Sequence, residues 1–524
     1  MKGAVAAGHP LTAEAGARIL SEGGNAVDAC IAAAFTSWVV ESPLTGPGAG
    51  GFMLVHRARD SSTRLLDFFV ATPGLGRTAS GRTAEMESVD IDFEGGESSQ
   101  VFRIGSASCA VPGAAAGLAE AHRAYATLPW RTLLEPAIEL ARGGFELTRP
   151  QAYLHAILDV ILRHTDEGRR VYGKGGARLA AGDRVVLPDL AGSLELLADH
   201  GPGVLYGGEL GRAILGHLAE TGGAITADDL ASYRVVRRRP VRAALRGHEF
   251  VSNPPPSSGG VLIGYGLRLL DRTGSTAEAG SAEAIALLVE VMREQGRARE
   301  GSFTGELYRG GLARRLLSEA NLRAALARMR AGPAAPVELA GVGGTTHISA
   351  VDGAGNAASL SSSTGSGSGV IVPGTGIHLN NMLGEYDLLP RAQRVRHGLR
   401  LTSMMAPSIV LGPAGPRLVV GSAGSVRLRG AILQIVVNVV EHGLPVEEAI
   451  SRPRVHLDEP HVHCEGGHEP QELDRLEQLG YDVIRWRRRN LFFGGAAGVE
   501  RRADGTLAAA GDPRRGGHGV VVGA

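Results

Sequence analysis

Aromatic side chains are scarce in this chain, only 4% of 524 residues. A core of that size must be filled by small aliphatic groups and close backbone contacts, and 76 glycines make many turns available. Cysteine is scarcer still. Cys30, Cys109 and Cys464 form an odd, widely spaced set without a CxxC pair, which excludes a disulfide framework. Net charge is missing: Lys+Arg and Asp+Glu both count 54. No overall field draws the chain to nucleic acid or to an anionic membrane. No apolar run is long enough to span a bilayer, the longest being Ile31 to Val40. The opening MKGAVAAGHPLTAEAGARIL is broken by Gly, His, Pro and Glu and contains no signal-peptide h-region. The expectation is a soluble, cytoplasmic protein with no nucleic-acid and no membrane partner.

What is present is a globular composition, 44% hydrophobic and 21% charged. The length calls for two domains or one large layered α/β unit. Helical spacing predicts a helix from Pro10 to Leu20, stopped at Gly23-Gly24, and a second from Ala26 to about Val40 capped by Asn25. The glycine loop TGPGAGG (45–51) leads into an alternating pair, Phe52–His56 and Arg64–Val70, with hairpin character. It lacks the Lys-Ser/Thr end of a phosphate loop and reads as backbone packing. Helices dominate 114–218 and 280–330. The loop NPPPSSGG (253–260) precedes a helix over 261–270, and 331–344 is a Pro/Ala/Gly linker. Beyond it lie two predicted hairpins, 347–352 with 357–363 and 408–411 with 417–420, and a helix over 428–441.

The change of pattern falls at GGTTH, residues 343–347. Taken alone, the stretch is most simply a turn into a strand, with threonine present for its β propensity. It also carries a chemistry. If the Gly344–Thr345 bond breaks, Thr345 becomes an N-terminus that holds a hydroxyl nucleophile and its own base. A terminal amine titrates at roughly 7.7–8.0, so near neutral pH part of it is free to accept the hydroxyl proton. The same hydroxyl can break that bond by attacking the Gly344 carbonyl. Glycines at 343 and 344 relax the steric limits on the distorted peptide.

Several stretches, in order and at matching spacing, settle between these readings. AAGHPLTAEAGARILSEGGNAVDA, GPGAGGFML, NPPPSSGG, TTHISAVDGAGNAASL, GIHLNN (376–381), TSMMAPSIV (402–410), GSAG (421–424) and ILQIVVN (432–438) resemble the γ-glutamyltransferase family of N-terminal-nucleophile hydrolases over nearly the whole chain. The resemblance implies an αββα sandwich and an autocatalytic cut. The cut would yield a large subunit, 1–344, and a small subunit, 345–524, which together form one unit. It implies Thr345 as nucleophile, Ser363 as a hydroxyl that bonds it and assists processing, and the backbone N–H groups of Gly424 and Ser425 as oxyanion donors. His347 follows the threonine pair and is expected to pack or orient. No cofactor and no metal are implied. The partners are a small-molecule substrate and the second subunit of the same chain, with a homodimer of such heterodimers as the assembly.

The chain departs from the family in its substrate-binding residues. Phe69 stands where the family has the arginine that grips an α-carboxylate, and a phenyl ring cannot replace a bidentate guanidinium. Thr402-Ser403 replaces a Ser-Ser pair. Met382 takes the place of a polar residue, while Glu385 keeps a carboxylate near the family's aspartate. Arg427, with Arg429, is a candidate replacement anchor or else a surface charge at a helix start. The expectation is a poor response to glutathione. The open readings are an acylase resembling those that remove β-lactam side chains, a hydrolase of specialised metabolism that cleaves a C–C bond in making alkylproline units of antibiotics, and an unprocessed binding protein. Two weaker signals remain. HVHCEGGH (461–468) has loose metal-ligand spacing, more simply a polar edge strand. The basic residues around Trp486 and the Arg514-Arg515 pair read as solvated faces.

Overall fold

The chain opens with strand β1 (Gly3–Ala7) and helices α1 (Pro10–Ser21) and α2 (Ala26–Val40). Asn25 caps α2 in a reciprocal box with Asp28. Every residue of α2 is buried, so the helix needs no polar face and lies inside the molecule. Strands β2 (Gly50–Arg57) and β3 (Ser62–Phe68) form the expected hairpin, longer at its start and ending before Phe69. Strands β4 (Val236–Arg238), β5 (Val241–Leu245) and β6 (His248–Ser252) then precede helices α3 (Gly259–Thr273) and α4 (Ala282–Arg297). The predicted hairpins after Thr345 are β7 (Thr346–Asp352) with β8 (Ala357–Ser363), and β9 (Ser408–Gly412) with β10 (Gly415–Ala423). Helix α5 (Arg427–Val440) and strands β11 (Gly495–Arg501), β12 (Leu507–Gly511) and β13 (His518–Val522) complete the main layers. This computed structural model describes residues 2–77, 83–93, 98–330, 344–385, 396–424 and 427–523. Linker residues 331–343 and Ser425 lie outside the described residues.

Two antiparallel sheets face each other. The first has the order β4-β3-β2-β8-β7-β1-β13 and the second β5-β6-β9-β10-β11-β12. Both draw strands from before and after Thr345, so neither part of the chain builds a sheet by itself. Helices α1 and α2 cover the outer face of the first sheet, where Val5, Ile348, Ala350 and Leu360 join Phe35 and Trp38 in one core. Helices α3 and α5 cover the second, where Phe250, Val410 and Val420 meet Val261, Leu262 and Ile432. Between the sheets pack Phe52, Leu54, Val351, Ile409, Val419 and Val499. Each fully buried Val, Leu, Ile or Phe contributes about 1.5–3 kcal/mol, which is how a core poor in aromatic residues still holds four layers together. The architecture is the expected αββα sandwich. No helix among the described residues is long and apolar enough to cross a membrane.

Side chains alternate across β7, and this alternation positions the site. Ile348 and Ala350 pack under the helices. Val351 points between the sheets. Thr346 therefore faces the helical layer, and Thr345 and His347 face the gap between the sheets.

Two expectations from the sequence are corrected here. The Arg514-Arg515 pair is not a solvated face. Arg514 is buried and pairs with Asp512 at 3.0 Å and with Glu465, and Arg454 pairs with the same Asp512 at 2.6 Å. A buried network of this kind holds only if each charge keeps its partners. The strand His461–Cys464 is not an edge: it is the middle strand of a small three-stranded sheet. There His463 accepts a hydrogen bond from the Trp486 indole N–H at 3.0 Å. Among the described residues, no group of three or more His, Cys, Asp or Glu is placed to hold a metal ion.

Candidate active site

Thr345 lies immediately before β7, and its side chain opens into a small cavity of about 40 Å³. The polar wall of the cavity consists of Thr345, Ser363, Glu385 and Ser403. The rest of the lining is apolar: Phe69, Met382, Met404, Met405 and Leu428. Residues from five separate stretches of the sequence thus converge on one hydroxyl.

Ser363 ends β8, the strand paired with β7. Its hydroxyl donates to the Gly344 carbonyl and accepts the Gly365 N–H at 2.8 Å. With that lone pair occupied, the Ser363 proton is directed at the carbonyl of the bond that would break. Gly365 has a φ of +75°, and a Cβ there would strike the Asn381 amide, so only glycine fits this turn. Asn381 and Glu385 both accept the Ser366 N–H, at 3.0 and 3.3 Å, and this fixes the Glu385 carboxylate at the pocket rim.

Phe69 follows β3 directly. It is buried and stacks on Phe52 with ring centroids 5.3 Å apart. The chain is pinned at this point from behind. Tyr233 donates to the Phe69 carbonyl at 2.8 Å, and the Phe69 N–H donates to Asp67 at 3.0 Å. Arg400 also donates to the Phe69 carbonyl and lies over the Tyr233 ring at 4.7 Å. The ring is therefore a fixed wall of the pocket.

The NPPPSSGG loop supports the segment that carries Thr402 and Ser403. Ser257 donates to the Ser403 and Met405 carbonyls at 3.0 and 2.9 Å, and Asn253 donates to the Met405 carbonyl at 3.0 Å. A Cβ on Gly259 would occupy the space of the Met404 carbonyl, which explains the glycine at that point. Thr402 is buried but does not line the cavity; Ser403 does.

Gly424 closes β10 with a φ of +120°, a conformation suited to glycine. Its carbonyl accepts the Arg427 N–H of α5 at 3.1 Å. Leu428 at the start of α5 lines the Thr345 cavity. Arg427 and Arg429 are buried rather than surface charges. The Arg427 guanidinium lies over the Phe492 ring at 4.2 Å, and Arg427 is not among the cavity residues.

His347 faces the gap between the sheets, bonded to Ser361 at 2.8 Å and Ser349 at 3.0 Å. Burial lowers its pKa to about 3, so it stays neutral. Burial likewise lowers His9, His155 and His378 to about 4. In the unfolded chain these groups titrate near 6.5, so below that pH the unfolded state binds more protons. Their neutral burial has no cost above about pH 6.5. Stability falls as pH drops from there toward 4, by up to about 1.4 kcal/mol per pH unit for each histidine. Thermal unfolding between pH 7.5 and 4.5 should show a steep fall in Tm below 6.5. A flat profile would contradict the neutral burial of these four groups.

Several neighbours of Thr345 and Thr346 were not anticipated from the sequence. Glu41, just beyond α2, accepts from Thr346 at 2.6 Å and from Thr12 at 2.8 Å. Arg515 donates to the Thr345 carbonyl at 2.7 Å. Met404 and Met405 complete the apolar wall. A lone carboxylate ending the apolar run of α2 was the available signal for Glu41. Arg515 offered none, because only the folded chain brings it to Thr345.

A four-layer αββα sandwich with a threonine at the start of a central strand defines an N-terminal-nucleophile hydrolase. The profile of the family described as Gamma-glutamyltranspeptidase matches residues 12–522, and the chain belongs to that family. It is 33% identical to the "Acylase ACY 1 proenzyme" of Pseudomonas sp. (strain SE83), over 99% of this chain and 94% of that protein. It is 31% identical to the "Glutathione hydrolase proenzyme" of Escherichia coli (strain K12), over 98% of this chain and 90% of that one. The cephalosporin acylase from Bacillus halodurans shares the fold, with a TM-score of 0.84 at 23% identity over 99% of this chain and 95% of that one. The gamma-glutamyltranspeptidase of Helicobacter pylori superposes with a TM-score of 0.55 at 28% identity, over 63% of this chain and 92% of that one.

Proposed function

We propose that the chain cuts itself between Gly344 and Thr345 and then acts as an N-terminal-threonine acylase on an amide whose acyl group is mainly apolar. In the cut, the Thr345 hydroxyl attacks the Gly344 carbonyl, the C–N bond breaks, and the hydroxyl proton passes to the departing amine. Water hydrolyses the resulting ester, leaving a carboxylate on Gly344 and a free α-amine on Thr345. Residues 1–344 become the large subunit and 345–524 the small one.

In turnover the α-amine takes the hydroxyl proton as Thr345 attacks the substrate carbonyl. The main chain at Gly424 and Ser425 supplies N–H donors for the oxyanion. The amine leaving group takes up the proton, and water or a second amine releases the acyl group.

The observation that carries the reading is the apolar lining of the Thr345 cavity: Phe69, Met382, Met404, Met405 and Leu428. Among the described residues that line the cavity there is no guanidinium to receive the α-carboxylate of a γ-glutamyl group, and an unpaired buried charge is heavily disfavoured. An alkyl or aryl acyl group fits that lining, and flexible methionines adapt to its shape. The "Acylase" name of the Pseudomonas relative supports the same class. Glu385 offers one carboxylate to a donor on the acyl group or the leaving amine. The test compares kcat/KM for hexanoyl, phenylacetyl and γ-glutamyl p-nitroanilides. At least about a tenfold advantage for one of the apolar acyl groups is expected, the size of effect a hydrophobic pocket gives. A γ-glutamyl substrate turned over faster than both would return the enzyme to glutathione chemistry.

A further inference from the structure

Thr345 and the residue after it are each held by a charged group that the proposed reaction does not use: Arg515 on Thr345 and Glu41 on Thr346. On the helical side, Glu41 accepts hydrogen bonds from Thr346 and Thr12, and it is 1% exposed. A Cβ on Gly8 would crowd both the Glu41 carboxylate and the Thr346 hydroxyl, so the backbone there has been thinned to admit the contact. The Arg515 guanidinium donates to the Thr345 carbonyl at 2.7 Å. Its stem crosses Gly495 of β11, where a Cβ would overlap the Arg515 Cδ. The turn that carries Arg515 is fixed by the buried Arg454, Asp512, Arg514 and Glu465 network.

We propose that Glu41 and Arg515 form a clamp on Thr345-Thr346, and that as positioning residues they keep the nucleophile in place before, during and after self-cleavage. This rests on the reading that the chain cuts at Gly344–Thr345. The logic is mechanical. Cleavage removes the covalent tether on the N-terminal side of Thr345, and a new chain end ordinarily frays. Here both holds act on the C-terminal side of the bond, on the Thr345 carbonyl and the Thr346 hydroxyl, so they survive the cut. The hydroxyl that attacked Gly344 is thereby left where it can attack a substrate carbonyl. A misplacement of 1 Å at a reacting group costs about 10²-fold, so such a hold has a measurable effect. Burial raises the Glu41 pKa, against the hydrogen bonds from Thr346 and Thr12 and the charge of Arg515. Arg515 and the two threonines are thus what make a buried carboxylate tolerable there.

The test uses the full chain, made by cell-free translation and chased over time, with the cut fraction read by denaturing mass measurement. The variants are R515M, R515K, R515A, E41Q and T346V, each with its Tm. R515M should slow self-cleavage by about tenfold or more, and R515K should recover most of the rate. Methylguanidinium added to R515A should accelerate its cleavage, which a general loss of stability does not produce. E41Q and T346V should each slow the cut, and the double variant should be no slower than the slower single one, because both remove one contact. Wild-type rates in R515M overturn the clamp. So does slowing that follows the loss of Tm and is restored neither by R515K nor by methylguanidinium. A wild-type chain that never cuts overturns both the clamp and the reading beneath it, whereas a wild type and an R515M that cut equally well remove the clamp alone.

Discussion

Thr345→Ala should give one uncut chain of 54.4 kDa and no acylase activity, where the wild type is expected to give two pieces split after Gly344. The expectation follows from the economy of the site. In the proposed mechanism Thr345 supplies the attacking oxygen for the cut, and the cut liberates the amine that acts as base in turnover. One substitution removes both. Serine at 345 is the informative companion: it keeps a hydroxyl and loses only the methyl group, so it should still cut, more slowly. Denaturing mass spectrometry distinguishes the outcomes within a few daltons of the expected subunits. Cutting in Thr345→Ala would mean that another nucleophile opens the chain, and the N-terminal-threonine mechanism would be abandoned. An uncut wild type would leave the α-amine acylated by Gly344 and unable to act as base.

Much of this site was legible in the sequence because its parts are local. The turn GGTTH, the paired strand ending at Ser363, and the short stretches around Phe69, Met382 and Ser403 each carry their own signature, and the fold gathers four of these side chains with Thr345 around one cavity. The capping box at Asn25 and the hairpins were likewise set by neighbouring residues, and their ends moved by only a few positions. What could not be read was contact across distance. Glu41 meets Thr346 over 305 positions and Arg515 meets Thr345 over 170, and no local pattern announces either. Arg514 and Arg515 read in the sequence as a solvated basic pair. The carboxylate that buries Arg514 most tightly, Glu465, arrives from another part of the chain. Met404 and Met405 adjoin a residue that was singled out, yet their direction depends on how the NPPPSSGG loop bends that segment.

Ser363→Ala should slow self-cleavage by about 10²–10³-fold, the usual cost of removing one oxyanion donor. The geometry makes this a sharp expectation. The Ser363 hydroxyl accepts the Gly365 N–H, so its proton is free to point only at the Gly344 carbonyl. As the Thr345 oxygen attacks, that carbonyl becomes an oxyanion and the hydrogen bond strengthens at the moment the barrier is crossed. Alanine removes the donor and leaves the Gly365 N–H without its acceptor, which adds a smaller penalty to folding. Threonine at 363 keeps the hydroxyl and should cut at close to the wild-type rate. The measurement is a time course of the cut fraction for the three proteins at one temperature. Ser363→Ala should accumulate as intact chain and then convert slowly, and the converted fraction should show acylase turnover in proportion to its amount. A Ser363→Ala chain that cuts as fast as the wild type would show that the carbonyl is activated elsewhere. One that never cuts, although Ser363→Thr does, would make the hydroxyl indispensable rather than assisting, and would place it beside Thr345 as a second catalytic group of the self-cleavage step.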